Sequence, residues 1–329
     1  MRICILGLGN VGKNLLEIMQ EFSNYHRQIC GESMEIVCVG DSRHTIVSGE
    51  PMDIGRILYY KKIGDLWSSG YDAIERQDLF QHDFDVLVDL STASRTGEPG
   101  KKLYGEAFRN GRDVVTANKS PLAMHWNSIM DNAKKSGRRI RFEATVAGGL
   151  PLFNFIEYSL SSSPIIYMRG IVNGTGNYVL HLLRQGNNLD EAISHAQKIG
   201  IAEADPSIDI DGFDNAWKAS IIANFVSGGK FSFRGFHFGG IREELHGEKK
   251  RIRLISEVRM DDGEIHVFAG MRELELGDPL LNLPGDSLGY IASSGTNSVV
   301  VTELHDGPRE TASAVMNDLI LLSKSRSKA

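Results

Sequence analysis

Between residues 200 and 220 the chain reads GIAEADPSIDIDGFDNAWKAS. Five carboxylates, Glu203, Asp205, Asp209, Asp211 and Asp214, fall within twelve positions, and one lysine, Lys218, follows them. Lys218 is the only charged residue from Asn215 to Gly229. Steps of three and four from Asp214 reach Lys218, Ile221, Ile222 and Phe225, so the charged pair shares a helix face with bulky apolar side chains. The spacing predicts a helix with Asp211 as N-cap and Asp214 at its third position, where a carboxylate meets the positive end of the helix dipole. One reading is a solvated salt bridge behind an acidic loop. The other is an inward-facing pair, because an ammonium among apolar neighbours is unfavourable unless it is matched by an acid. The apolar neighbours and the crowded acids favour the second. Such a site can bind a cationic amine and keep a proton donor beside it, which suits hydride chemistry on an amino acid.

A second lysine stands in TANKSPLA, where Asn118 and Lys119 follow a predicted strand. They therefore lie at the carboxyl edge of a sheet, the edge at which α/β folds bind ligands. Lys119 is either a surface lysine or a group reaching cofactor and substrate, and its position favours the latter.

The element that would carry a cofactor opens the chain. RICIL reads as a buried strand, and GLGNVG follows it into a helix with apolar residues at Val11, Leu15, Ile18, Met19 and Phe22. Gly7, Gly9 and Gly12 make G-x-G-x-x-G: the first allows the tight turn, the second close approach of a pyrophosphate, the third close packing of helix on strand. The turn Gly7, Gly9, Asn10, Val11 and Gly12 then offers amide donors and the helix dipole to phosphates. A second strand, MEIVCVGDS, ends at Asp41, the acid placed to accept from an adenosine ribose hydroxyl and so to favour NAD. Asp41 lies 29 positions beyond Gly12, more than the usual ~20. Arg43, two residues on, could pair instead with a 2′-phosphate. The choice between NAD and NADP stays open.

FDVLVDLS, GRDVVTANKS and RRIRFEATVAGG continue the strand-then-turn pattern, with PGKKLYGEAFRNG as an intervening helix. Strands alternating with helices imply right-handed crossovers and a parallel sheet covered on both faces. After about residue 150 the pattern changes. SEVRMDDGEIHVFAGMREL alternates around Asp262-Gly263, a hairpin signal, while LDEAISHAQKIG and NAWKASIIANFVSG read as helices. The fold class is α/β: a Rossmann-type parallel-sheet nucleotide-binding domain over residues 1–142, and an α+β domain over 143–304 that would take the substrate. The last stretch, 305–329, contains an amphipathic helix expected to pack back on the first domain.

Composition sets bounds. With 329 residues, 41% hydrophobic and 24% charged, the chain has room for two cores. A net charge of −6 argues against nucleic acid or an anionic membrane as partner. There is no apolar run of about 18 residues, as a membrane span requires, and the first residues read as a strand, not as a leader. Cys4, Cys30 and Cys38 lack metal or disulfide spacing, which fits a reducing cytoplasm.

In order and spacing, GLGNVG, VTANKSPLA, FEATVAGGLPLF, NGTGNY and GIAEADPSIDIDGFDNAWK resemble the motifs of the homoserine dehydrogenases, across nearly the whole chain. The last motif is the most specific and the first the least. The resemblance implies interconversion of homoserine and aspartate 4-semialdehyde with NAD(P)H, toward threonine and methionine, by a cytoplasmic homodimer. By position it implies Lys218 as proton donor to the aldehyde oxygen, with Asp214 orienting it. Glu203 would take the substrate ammonium, supported by Asp209, with Gly174 and Thr175 lining the substrate pocket. Lys119 would sit near both cofactor and substrate, and Ser91 and Thr92 would touch the cofactor. A monovalent cation, Na⁺ or K⁺, would be held largely by backbone carbonyls at Glu143, Val146, Gly148 and Leu150; the plain alternative for this glycine-rich turn is a strand-to-helix hinge.

One departure stands out: GPRETASAV carries Arg309 and Glu310 where the family's turn has small residues, leaving that cofactor contact open. The length corresponds to the family's short form, without a regulatory domain, so feedback inhibition through one is not expected. An acylating semialdehyde dehydrogenase would need a cysteine nucleophile, and beyond Cys38 the chain offers none. Another Rossmann oxidoreductase acting on a different amino acid or a sugar is the enzymatic rival. A nicotinamide-binding sensor is the non-enzymatic one, against which Lys119, Lys218 and Asp214 argue.

Overall fold

The apolar runs RICIL, EIVCVG, VLVD and DVVT become strands buried almost throughout. The computed structural model describes residues 1–203, 205–243 and 249–326. The chain divides into two units, Met1–Thr145 with Gly307–Ala329, and Val146–Asp306.

The first unit runs β1 (Arg2–Leu6), α1 (Asn10–Glu21), α2 (Ser23–Cys30), β2 (Glu35–Gly40), β3 (Thr45–Val47), α3 (Ile54–Lys62), β4 (Asp72–Ile74), β5 (Val86–Asp89), α4 (Glu98–Arg109), β6 (Asp113–Thr116), α5 (Lys119–Lys135) and β7 (Ile140–Arg141). The seven strands lie in the order β4-β3-β2-β1-β5-β6-β7. The run from β2 to β7 is parallel, as the alternation of strands and helices implies. Its central strand is continuously apolar because helices cover both faces: Ile3, Cys4, Ile5 and Leu6 are fully buried.

The sheet is not parallel throughout. After β2 the chain turns straight back, and β3 and β4 are antiparallel additions at the edge. The turn has a local cause. Asp41 Oδ1 accepts the N–H groups of Arg43 at 2.8 Å and His44 at 2.9 Å, and the Asp41 N–H donates to the His44 carbonyl at 2.8 Å. An aspartate bonding its own following backbone folds the chain into a turn where a crossover would otherwise begin.

The second unit runs α6 (Phe153–Ser159), β8 (Ile165–Ile171), α7 (Gly174–Arg184), α8 (Leu189–Lys198), α9 (Ser207–Ile210), α10 (Phe213–Ser227), β9 (Ile252–Asp261), β10 (Glu264–Glu273), β11 (Leu288–Ser294) and β12 (Ser298–Glu303). Its five strands form an antiparallel sheet in the order β10-β9-β8-β11-β12. β9 and β10 join through Asp262-Gly263, whose φ values of 46° and 85° are those of a tight hairpin turn. Leu254 and Ile252 of β9 pack against Val179, Leu180 and Leu183 of α7 and Ala192 and Ala196 of α8.

The last helix, α11 (Pro308–Arg326), belongs to the first unit. Ala312, Val315, Leu319 and Leu322 join the core formed by Leu15, Leu16 and Met19 of α1. Arg309, which stands where the family's turn has a small residue, pairs with Glu21 of α1 at 2.7 Å. Positions 327–329 lie outside the described residues.

Candidate active site

In the second unit, α10 carries the acid–lysine pair. Its start differs from the sequence expectation: the N-cap is Gly212, with φ 87°, and Asp211 instead ends the short α9. The reason is crowding. A Cβ on Gly212 would come 2.5 Å from the carbonyl oxygen of Gly239, so the chain must pass there as glycine. Asp214 is thus the second helical residue, still within the first turn and still facing the positive end of the dipole.

Nor is α10 one-sided. Lys218, Ile221 and Ile222 are buried, but so are Asn215, Trp217 and Ala219 around the helix. Small residues let it lie close on the sheet, where Ala216 and Ala219 meet Ala269 of β10. Polar contacts fix its height: Asn215 Nδ2 donates to the Ile255 carbonyl at 2.8 Å, and Ser256 Oγ donates to Asn215 Oδ1 at 2.7 Å. Replacing a residue such as Trp217 by alanine should destabilise the unit by about 3–5 kcal/mol.

On this rigid helix Lys218 Nζ lies 2.9 Å from Asp214 Oδ2, with Lys218 only 8% and Asp214 2% exposed. The same nitrogen donates to the carbonyl oxygen of Val172, just after β8. Asn173 follows. Its side chain accepts from Gly176 N–H and so caps α7, while its Nδ2 donates to Asp214 Oδ2 at 2.8 Å and Asp209 Oδ1 at 2.9 Å. Thr175 Oγ1 donates to the Ile201 carbonyl at 3.0 Å, tying the start of α7 to the segment leading to Glu203.

The five acids therefore separate. Asp214 touches Lys218, Asp209 is linked to it through Asn173, and Glu203, Asp205 and Asp211 are exposed. Two participants were not singled out from sequence. Asn173 sits inside NGTGNY, and its signal was that of an asparagine cap before a helix. Asp306 lies with its carboxylate against the backbone of both Gly148 and Gly174: a Cβ on Gly174 would come 2.6 Å from Asp306 Oδ2. Gly148 is in the left-handed region with φ 60°. Val146 and Leu150, beside it, are buried, whereas Glu143 belongs to the first unit and there donates its N–H to Asp318 Oδ2 at 2.8 Å. Among the described residues no group of three or more His, Cys, Asp or Glu side chains could hold a metal ion.

In the first unit the glycine turn has the expected division of labour. Gly7 has φ 103° and its Cα lies against the Leu90 backbone, and Gly12 lies against the Gly7 carbonyl, so neither has room for a side chain. Gly9 has open space where a Cβ would be, and as N-cap it supplies no side-chain cap to α1. The amides of Asn10 and Val11 thus open α1 beside free space, which fits a dinucleotide pyrophosphate.

Asp41 is more occupied than its sequence position implies. Besides the two backbone N–H groups, its Oδ2 receives the Lys61 ammonium at 2.5 Å. Burial by itself would raise its pKa, but the Lys61 hydrogen bond and charge and the backbone donors bring it down to about 2. Arg43 is exposed, and its guanidinium makes no hydrogen bond or ion pair among the described residues.

Ser91 and Asn118 are fixed by a buried acid that sequence reading passed over. Asp89 is fully buried and accepts from Ser91 Oγ at 2.5 Å, Tyr104 Oη at 2.7 Å and Asn118 Nδ2 at 3.2 Å. Burial, reinforced by the Asp89 charge, pushes the Tyr104 phenol well above its usual range. This cluster sets the residue before Lys119, the half-buried first residue of α5; Thr92 is exposed. Cys4, Cys30 and Cys38 are all buried free thiols, and burial pushes Cys4 well up. None is placed as a nucleophile.

Comparison with known proteins also divides the chain between residues 143 and 151, although the second match continues into α11. A family model described as homoserine dehydrogenase matches residues 151–320, and one described as the homoserine dehydrogenase NAD binding domain matches 7–143. A homoserine dehydrogenase from Methanocaldococcus jannaschii is 32% identical, over 100% of both chains. The crystal structure of a homoserine dehydrogenase from Thermoplasma acidophilum superposes with a TM-score of 0.89 at 39% identity, covering 98% of this chain and 99% of the other. A hyperthermophilic archaeal homoserine dehydrogenase in complex with NADPH gives 0.83 at 30% identity, covering 100% and 98%.

Proposed function

We infer the reaction from a premise: the chain belongs to the homoserine dehydrogenase family. It is an NAD(P)-dependent oxidoreductase of amino-acid biosynthesis, interconverting L-homoserine and L-aspartate 4-semialdehyde. Among the described residues no helix is long and apolar enough to cross a membrane.

The mechanism assigned to the site residues is our own reading. Gly7, Gly9, Asn10, Val11 and Gly12 would hold the dinucleotide pyrophosphate, Asp41 and Arg43 would meet its ribose, and Ser91, Thr92 and Lys119 would contact its nicotinamide end. Bound there, the nicotinamide supplies the hydride in reduction and accepts it in oxidation. Glu203 and Asp209 hold the substrate ammonium, and Gly174 and Thr175 bound its pocket. Lys218 gives a proton to the carbonyl oxygen as the carbon receives the hydride, and takes it back in the reverse direction. The observation that carries this is the state of its ammonium. Three donors are available; one goes to Asp214 and one to the Val172 carbonyl, which leaves the third for a substrate oxygen. Lys119 assists the proton transfer.

A monovalent cation, Na⁺ or K⁺, at the carbonyls of Glu143, Val146, Gly148 and Leu150 belongs to the same reading, supported by the left-handed turn at Gly148, which redirects successive carbonyls. So do a cytoplasmic homodimer and the division into residues 1–142 with 305–329 for the dinucleotide and 143–304 for substrate and dimerisation. The test is absorbance at 340 nm with purified protein, homoserine and each of NAD and NADP. Reduction of at least one is expected, and none with either would overturn the assignment.

A further inference from the structure

Asn173 is 2% exposed and stands between two of the acids just assigned. A primary amide has two donor hydrogens and an acceptor oxygen. Here one hydrogen goes to Asp209 Oδ1, the other to Asp214 Oδ2, and the oxygen takes the Gly176 N–H. Few side chains could replace it. Aspartate would lose both donors and place a third negative charge between two others, serine has a single hydroxyl hydrogen, and glutamine is one methylene longer.

The bridge reaches further than two hydrogen bonds. Asp214 Oδ2 accepts from both Asn173 Nδ2 and Lys218 Nζ. The peptide just before Asn173 also contributes, since the Val172 carbonyl is the second acceptor for the same ammonium. The position of the lysine is thus set from two sides by one dipeptide, and the same side chain reaches Asp209.

We propose that Asn173 is a positioning residue that holds Asp209 and Asp214 in a common register, so that a substrate anchored at Asp209 presents its reacting oxygen to the Lys218 ammonium. The inference rests on the roles proposed above for Asp209 and Lys218. Asn173 touches neither hydride nor proton; it acts through its two carboxylate partners. Misplacement of a reacting group by about 1 Å is enough to lower a rate by ~10²-fold, so the bridge has kinetic consequences without itself taking part in the chemistry.

The test separates this role from helix capping by comparing the wild-type enzyme with Asn173→Ser and Asn173→Ala. Serine retains an oxygen that can accept the Gly176 N–H but lacks both amide donors. The serine variant should lose less in melting temperature than the alanine variant, which loses the cap as well, and should bind NADPH as wild type does, because the glycine turn lies in the other unit. It should lose ~10²-fold in kcat and also show a raised KM for homoserine. Adding Asp209→Asn should raise KM less in the serine variant than in wild type, since the link is already cut. The alanine variant should show the same kinetic loss together with a lower melting temperature. Wild-type kcat in the serine variant, a change confined to KM, or a loss of activity accounted for by the unfolded fraction would each overturn the proposal. A wild-type protein that oxidises no homoserine with either cofactor would instead sink the function on which it rests.

Discussion

Two buried carboxylates, Asp89 in the first unit and Asp214 in the second, are satisfied in opposite ways. Asp89 receives hydroxyl and amide hydrogens from Ser91, Tyr104 and Asn118. Asp214 receives an amide hydrogen from Asn173 and an ammonium from Lys218. The first arrangement has rigid donors of fixed geometry and organises the two loops after β5 and β6. The second brings in a group with three protons, one of which has no acceptor among the described residues. A buried acid matched by neutral donors builds a framework, whereas one matched by a lysine can hold a proton for transfer, the role proposed for Lys218. Asp41 is an intermediate case, held by two backbone N–H groups and by Lys61 at the edge of the sheet.

The comparison breaks most sharply at Lys218. Lys218→Ala should lower turnover by about 10²–10⁴-fold while NADPH binding, measured by fluorescence titration, stays near wild type. Asp214→Asn should come next. It leaves a buried ammonium without its acid, lowering stability by about 3–5 kcal/mol in urea denaturation, together with a large fall in kcat. Tyr104→Phe probes the framework. Losing the hydroxyl that bridges Asp89 and Thr116 should reduce stability by about 1–3 kcal/mol with kcat and homoserine KM little changed. If Tyr104→Phe harmed turnover as much as Asp214→Asn, the distinction between framework and proton site would fail. The smallest effect is expected in the turn that follows the intermediate case, Asp41. Arg43→Ala should weaken NADP binding by about tenfold, ~1.4 kcal/mol, and leave NAD binding unchanged; equal losses would remove Arg43 from the 2′-phosphate.

What could be read from sequence was what depends on neighbours along the chain. The strand, glycine turn and helix from Arg2 to Glu21 follow from local periodicity, as does the hairpin at Asp262-Gly263, where the turn residues set the geometry. The inward Asp214–Lys218 pair was legible because residues four apart share a helix face. The return of the chain after β2 was not foreseen, although its cause is local: Asp41 was read for its value to a ribose, and its capacity to bond its own backbone was overlooked. The start of α10 was misplaced because the crowding at Gly212 comes from Gly239 and Gly240, far along the chain. The Asn173 bridge and the Asp89 cluster were beyond local reasoning for the same reason. Asn173 and Asp214 are 41 residues apart, and Asp89 and Asn118 are 29 apart, so only tertiary structure makes them partners.

The proton assigned to Lys218 can be examined directly by chemical rescue. Lys218→Ala opens a space beside Asp214 and the Val172 carbonyl in which a small primary ammonium can bind. Ethylammonium added to this variant should restore reduction of aspartate 4-semialdehyde, followed as loss of NADPH absorbance at 340 nm, in a saturable manner. Tetramethylammonium, which has no N–H to give, should not. Wild-type turnover by the unrescued variant, or equal stimulation by both ions, would contradict Lys218 as the proton donor.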